Sequence, residues 1–486
     1  ESSAIIAENR LPGTTSWKIS GTVSPTLIQG FASLTYAKQG QNVTLYVDSR
    51  VADYRAVAYR MGWYQGLGAR EIWASPVEHA VAQPACSLAT STNMVSCANW
   101  HPSLVMPVTD AFVPGDYLIK LTAGAHAASY VLLTVWDPSS TAAYVIMNRS
   151  MIEEAWNTYG GYSFYSGEGP CIIDDVSYPP CNRARVVSFD RPYDIDYGAS
   201  DFLTNEYPLI QLMEREGLDV TYISDVTLSQ YPGLLVRHKV LLTLDHDEGW
   251  TYSMRVAVQD AVARGVNIVY FGAAAMVRHD RLQPSVLGPN REVVDYRDGE
   301  EDPLNGVGNP MQVTGNTWED PPADWSPLTQ IGEEYSGYLT PGVSAPMVIS
   351  DASSWVFQGT GLHNGSSVAG VIESDFDHVI SGSPPNVQIL AHSPIPAGDA
   401  TVSGETWNGV SYSDMIYFTN QTSHAGVIDT GNNVWIGDLR PCSQAPCAEP
   451  TVAKITNNIL RAFGQGPTGL AHPSLPNVGL ISPYDS

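Results

Sequence analysis

Basic residues are scarce in this chain: 24 lysines and arginines stand against 50 aspartates and glutamates, a formal charge of −26. So anionic a surface repels the phosphates of nucleic acids and acidic lipids, and neither is expected as a partner. No run of eighteen apolar residues occurs, which excludes a helical membrane span of ordinary length. Cysteines number only six and form no C-x-x-C pair, which argues against a zinc knuckle. Helical periodicity of useful length is absent from residues 1–137. Nor does the sequence open with methionine; it begins Glu1-Ser2-Ser3, as expected of a mature secreted protein.

What is present describes a large globular chain. Of 486 residues, 43% are hydrophobic, enough for sizeable cores, and the length suggests about two to four domains. The acidity favours solubility and fits an extracellular or saline setting without selecting a substrate. The cysteines fall as close pairs, Cys86 with Cys97, Cys171 with Cys181 and Cys442 with Cys447, each closing a short polar loop. Three sequence-local disulfides are the natural reading, and they imply an oxidising compartment. Acceptor triplets for glycosylation stand at Asn42, Asn148, Asn364 and Asn420.

Residues 1–137 read as all-β. Short alternating runs at 42–47, 55–60, 117–121 and 129–135 are separated by Gly, Pro, Asn and Asp turns, the pattern of a sandwich. Pro114-Gly115-Asp116-Tyr117, entering Leu118-Ile119-Lys120-Leu121, has the form of an immunoglobulin-like tyrosine corner. There the phenol bonds to nearby backbone, so Tyr117 reads as structural. Asp137-Pro138-Ser139-Ser140 is a linker, after which the hydrophobic period changes. Strands over 143–147, 220–223, 240–244 and 266–271 alternate with helices over 207–216 and 254–264, stopped by Gly217 and Gly265. This alternation predicts a doubly wound α/β domain over 138–486, with right-handed crossovers and a closing helix over 452–463. Two long irregular insertions interrupt it. The segment 156–192, rich in Tyr, Gly and Pro, is a candidate lid or site wall; 278–342, with an acidic core at 298–302, has the same character, with a solvated surface excursion as the alternative.

The chemistry concentrates where one buried strand ends. Val240, Leu241, Leu242 and Leu244 form an almost continuous apolar run, as in a strand covered on both faces, and Asp245-His246-Asp247-Glu248 follows at once. One imidazole and three carboxylates at the carboxyl end of a central strand occupy the edge where open α/β sheets bind ligands. The competing reading is a helix start, with Thr251 or Ser253 as cap and the acids favoured by the helix dipole.

Several motifs together resemble the N,N-dimethylformamidase large (beta) subunit family. They are 7–14 (Ala-Glu-Asn-Arg-Leu-Pro-Gly-Thr), 28–33, 59–66 (Tyr-Arg-Met-Gly-Trp-Tyr-Gln-Gly), 185–193 and Asp201-Phe202-Leu203 with Glu206-Tyr207. Glu214-Arg215-Glu216-Gly217, His246-Asp247-Glu248, Gly370-Val371-Ile372-Glu373 and 426–435 extend the likeness over nearly the whole chain. The resemblance implies an immunoglobulin-like β-sandwich followed by a doubly wound α/β domain similar to class I glutamine amidotransferases. It also implies a different site, because no thiol stands after the central strand and a Cys-His triad is excluded.

In that family the resemblance implies an iron site held by two tyrosines and a glutamate, with a histidine nearby, acting on an amide. Carried over by position, Glu248 is the glutamate ligand and His246 the neighbouring histidine that orients or deprotonates water. Asp247 completes the candidate catalytic group. Tyr117 aligns with the tyrosine of the family's Gly-x-Tyr strand. The second tyrosine departs from the pattern: the family's Ala-Tyr-Asn is here Ala155-Trp156-Asn157, and tryptophan cannot ligate iron. Tyr159, Tyr162 or Tyr165 is the substitute, Tyr165 foremost because Ser163-Phe164-Tyr165 resembles a Ser-Leu-Tyr of closer relatives. Two functions stand open: a secreted, metal-dependent hydrolase of an amide-like C–N bond, or a non-catalytic extracellular protein binding a glycan or other small molecule through its aromatic loop. A homo-oligomer is left open.

Overall fold

A computed structural model describes residues 2–168, 182–403, 406–442 and 447–484. The chain is mixed α+β, with many sheets and few helices. It opens with a short helix, Ser3–Asn9, that the sequence reading did not anticipate. Then come two sheets whose side chains enclose one core. The first is three-stranded and antiparallel, Ile28–Ala32 with Asn42–Ser49 and Leu104–Pro107. The second is centred on β1 (Asp53–Met61), β2 (Gly115–Ala123) and β3 (Ala127–Val135). Val43, Leu45 and Met106 from one sheet meet Ala58, Ile119, Leu121 and Val131 from the other. That shared core is what alternating inward side chains on two sheets produce.

After Val135 the architecture changes. β4 (Tyr144–Asn148), β5 (Val220–Ser224), β6 (Val240–Leu244) and β7 (Asn267–Phe271) lie in one seven-stranded sheet with β8 (Gln388–Pro396), β9 (Val410–Thr419) and β10 (Gly426–Asp429). The order across it is β5-β4-β6-β7-β10-β9-β8. Neighbours from β5 to β10 are parallel, whereas β9 pairs antiparallel with both β10 and β8. The sheet is therefore mixed rather than purely parallel.

Both faces are covered. Alternate residues sort into two cores: Ile146, Leu242, Leu244 and Val269 pack on one side, Val145, Met147, Leu241 and Ile268 on the other. α2 (Tyr207–Arg215) and α4 (Glu449–Phe463) supply Leu209, Met213, Ile455 and Ile459 to the first. α1 (Ser150–Trp156) and α3 (Tyr252–Ala263) supply Met151, Ile152, Met254 and Val258 to the second. This two-sided burial explains why the strands read as continuous apolar runs. The strand order reverses between β4 and β6, so the carboxyl ends of these two strands flank the crevice where such sheets hold ligands.

A buried polar junction ties the first sheets to the seven-stranded sheet and its helices. Arg60 of β1 forks onto Glu214 of α2 at 2.6 and 3.0 Å, and the Tyr222 hydroxyl of β5 donates to Glu214 Oε1 at 2.7 Å. Asn9 donates to Glu214 Oε2 at 2.9 Å. Gly62 is required beside it, since a Cβ there would lie 2.3 Å from Glu214 Oε2.

Cys86 is bonded to Cys97, and Cys442 to Cys447. The Cys171 and Cys181 pairing lies outside the described residues. Asn148 is closed to glycosylation in the folded chain, because its side chain is buried and donates to Glu206 at 2.7 Å. The segment 278–342, read as irregular, contains the antiparallel pair Arg281–Ser285 with Gly288–Val294 and the strand Glu334–Leu339.

Candidate active site

Where β6 ends, Asp245 takes a left-handed backbone conformation at φ 51°, uncommon outside glycine. Its N–H donates to Phe271 O at 2.8 Å, and its carbonyl lies so close to Gly272 that a Cβ there would sit 1.7 Å from the oxygen. Two tight turns follow, Asp247 N–H to Asp245 O at 3.0 Å and Glu248 N–H to His246 O at 2.8 Å. The chain thus folds back on itself and presents His246 and Glu248 to one cavity. Helix capping falls to Thr251, whose hydroxyl accepts from Met254 N–H at 3.3 Å. Glu248 is left for other partners.

Those partners form a compact cluster. The Tyr165 hydroxyl donates a short hydrogen bond to Glu248 Oε2, His246 Nδ1 lies 3.3 Å from Glu248 Oε1, and Arg278 Nε lies 3.9 Å from Oε2. His246 Nε2 lies 3.3 Å from Asp245 Oδ2, so both ring nitrogens face carboxylates. Asp375, at the start of the strand Asp375–His378, completes the group: one ligand atom each from His246, Glu248 and Asp375 lie within 4.8 Å of one another. Among the described residues this is the only cluster of three or more His, Cys, Asp or Glu so arranged. Asn433 holds Asp375 by a hydrogen bond of 2.5 Å.

The electrostatics follow from burial and pairing. Burial disfavours the imidazolium of His246, but the Asp245 charge and the Glu248 bond outweigh it and raise its pKa to about 9. Burial pushes Glu248 up, yet His246, Arg278 and Tyr165 leave it below the ordinary carboxyl value. Burial and the Glu248 charge drive the Tyr165 phenol well above its ordinary range. Without a cation the phenol keeps its proton. Beneath the turn, Arg149 Nη1 meets Asp245 Oδ2 at 2.9 Å and fixes that carboxylate.

The residues enclose a cavity of about 660 Å³. Trp156 and Tyr165 form one wall, stacked face to face with ring centres 3.7 Å apart and planes 5° from parallel, and Arg297 lies 4.3 Å from the Tyr165 ring centre. Trp156 thus supports the phenol that reaches Glu248.

Two expected residues are elsewhere. Tyr117 is buried among the N-terminal strands and donates to Val113 O at 2.7 Å, as its tyrosine-corner setting indicates, so it does not join Glu248. It borders a separate, much smaller cleft with Asp116. Asp247 lies beneath the site and not in its lining; burial pushes its pKa up to about 7, opposed by Arg149 and His246. Tyr159 accepts from Gln29 at 2.8 Å and Tyr162 is buried in the second core. Sequence reasoning missed Asp375, Arg278 and Asn433. The signal for Asp375 was faint: it follows Gly370-Val371-Ile372-Glu373 by two residues.

With this geometry in view, the comparisons define a class. A family model described as N,N-dimethylformamidase beta subunit-like, C-terminal, matches residues 55–449, which include every side chain of the cluster. The chain belongs to that family. It is 23% identical over 365 residues to the N,N-dimethylformamidase beta subunit of Alcaligenes sp, covering 65% of this chain and 44% of the relative. The chain therefore spans less than half the length of that relative. A solved cycloisomaltooligosaccharide glucanotransferase of Paenibacillus sp. aligns over 81% of this chain and 68% of its own at 9% identity, with a TM-score of 0.18. That likeness carries no statement about fold or ligand.

Proposed function

We propose that the chain hydrolyses an amide-like C–N bond with a metal ion held by Glu248, Tyr165 and Asp375, with His246 beside it. The observation that carries this reading is the convergence of these four side chains at the carboxyl end of β6 in a member of the N,N-dimethylformamidase beta subunit-like family. Two carboxylates and a phenol form a hard, anionic oxygen set, and iron is the metal proposed. Bound there, the ion supplies Lewis acidity toward an amide carbonyl and toward water.

The remaining chemistry belongs to the side chains. Water adds to the acyl carbon, the C–N bond breaks, and the products are a carboxylic acid and an amine that has gained a proton. His246, whose ring nitrogens face Asp245 and Glu248, stands beside the proposed ligands and is placed to orient the attacking water or to carry its proton toward the leaving nitrogen. Arg278 sets a positive charge beside Glu248 and against the negative charge that develops on the carbonyl oxygen. Tyr165, stacked on Trp156, is held in place for Glu248.

Elemental analysis of protein purified without added metal, together with an amide hydrolysis assay, tests this. Bound iron and turnover, both lost in Glu248→Ala while circular dichroism is unchanged, are expected. A wild-type chain that takes up no metal and hydrolyses no amide after metal supplementation overturns it.

For the architecture we infer an immunoglobulin-like unit over 1–137 and an α/β unit similar to class I glutamine amidotransferases over 138–486; the Tyr117 bond to Val113 and the strand order support this. The two disulfides support a secreted protein, with Asn42, Asn364 and Asn420 as glycosylation candidates. The relative's name as a subunit supports an oligomer. A non-catalytic extracellular binding protein is the second reading, favoured by the flat aromatic wall of Trp156 and Tyr165, which suits a glycan or planar ligand.

A further inference from the structure

We propose that the substrate of this site is a neutral carboxamide carrying one bulky apolar group, aromatic or branched aliphatic, rather than an amide bearing only methyl groups. The inference rests on the hydrolase reading and adds the substrate class to it. Three observations carry it. First, cavities of about 300–1,000 Å³ hold drug-sized ligands. At about 660 Å³ this one falls in that range and far exceeds what a dimethylamide fills. A small ligand there would leave most of the apolar wall wet and gain little from burial.

Second, much of the lining is apolar. Beside the polar cluster, Ile195, Val277, Leu339, Pro341, Val343 and Val434 contribute apolar side chains to the lining, with Tyr335 and Tyr338 among them. This apolar part is preformed: Leu339 N–H donates to Ser374 O, Thr340 N–H to Asp399 O and Val343 N–H to Thr340 O, at 2.8–2.9 Å.

Third, the charge in the lining selects against anions. Beyond Glu248 and Asp375, whose charge the metal offsets, the lining carries the acids Asp201 and Glu373, and a free carboxylate placed near them meets repulsion. N-acyl amino acids are thereby disfavoured. Hydrolysis breaks the C–N bond, places the hydroxyl of water on the acyl carbon and its hydrogen on nitrogen, and releases a carboxylate and an amine.

The test uses the full chain as purified with its metal and four amides: N,N-dimethylformamide, N-benzyl-N-methylformamide, N,N-dimethylbenzamide and N-benzoylglycine. At least one of the two bulky neutral amides is expected to exceed N,N-dimethylformamide tenfold in kcat/KM, with N-benzoylglycine the poorest. Isothermal titration calorimetry supplies binding constants in the same order. Val343→Trp, which puts a larger side chain into the lining, is expected to lower the bulky-to-small ratio at least tenfold. Equal or better turnover and binding of N,N-dimethylformamide relative to both bulky amides overturns this inference and leaves the hydrolase reading standing. If no amide is turned over, the hydrolase reading fails and the calorimetric ratio decides the ligand class alone: tighter binding of a bulky neutral amide supports it, and no preference overturns it.

Discussion

Glu248 sits where burial and its neighbours pull in opposite directions. Burial favours the neutral acid, while the His246 hydrogen bond and charge, Arg278 and the Tyr165 phenol favour the carboxylate, and the latter prevail. The residue is therefore an ionised acceptor already positioned for a cation. Tyr165 is the partner whose role can be isolated, because its ring packs on Trp156 whether or not its hydroxyl is present. Tyr165→Phe removes a proposed ligand and is expected to weaken metal binding by at least roughly 10–100-fold, the loss typical when even a hydrogen-bond partner of a ligand is removed. The melting temperature should move little, since the stack is retained; chelator competition on the purified variant measures the first effect and calorimetry the second. Unchanged metal affinity would remove Tyr165 from the site. His246, Glu248 and Tyr165 were legible in the sequence because polar side chains after a buried strand, and a tyrosine beside the family's lost one, are local signals. Asp375 was not, because only the folded chain brings the start of Asp375–His378 to the end of β6. Tyr117 supported two incompatible readings, and its 2.7 Å bond to Val113 O selects the structural one.

At the scale of elements, the site depends on how closely β7 passes the turn after β6. Asp245 N–H bonds to Phe271 O, and the next residue of that chain, Gly272, has no room for a methyl group: its Cβ would meet backbone, which cannot swing away as a flexible side chain can. Gly272→Ala is expected to destabilise the chain by about 3 kcal/mol, the upper end of overpacking costs, and to displace His246 and Glu248. Gly233→Ala, where nothing lies within 4 Å, is the control and should change stability by less than about 0.5 kcal/mol. Equal urea midpoints for the two variants would show that the close approach is relieved at no cost. The strands and helices around this turn were legible because two-sided burial writes an apolar run and glycine ends a helix; β6 spans the expected 240–244, and α3 begins two residues early because Thr251, rather than Ser253, caps it. The short sheets within 278–342 were not, since paired strands such as Arg281–Ser285 and Gly288–Val294 are largely polar and their register is set by contacts that composition does not record.

The whole molecule carries a charge of −26, yet several of its carboxyls are buried, and for these the charge state and the fold are coupled. Asp116 on β2 is the clearest case, away from the cavity and beside the junction that joins the two halves of the fold. Burial pushes its pKa from 3.8 to about 7. The Thr134 hydroxyl, which donates to it at 2.6 Å, and the Arg60 charge oppose the shift, whereas Glu214 adds to it. Between about pH 4 and pH 7 the folded chain therefore holds a proton that the unfolded chain has released. Stability from this group is greatest below the unfolded pKa and declines as pH rises through the window, by at most about 1.4 kcal/mol per pH unit. Above about pH 7 the penalty is complete and the dependence ends. Asparagine keeps an oxygen for Thr134 and cannot ionise, so Asp116→Asn is expected to lose this slope and to gain on the wild type steadily from pH 5 to pH 7. Urea unfolding of both proteins at pH 5, 6 and 7 reads the difference directly, and because only the difference is used, titration of other buried groups cancels. Parallel curves would mean that Asp116 is ionised in the folded chain throughout, its charge held by Arg60 at the junction.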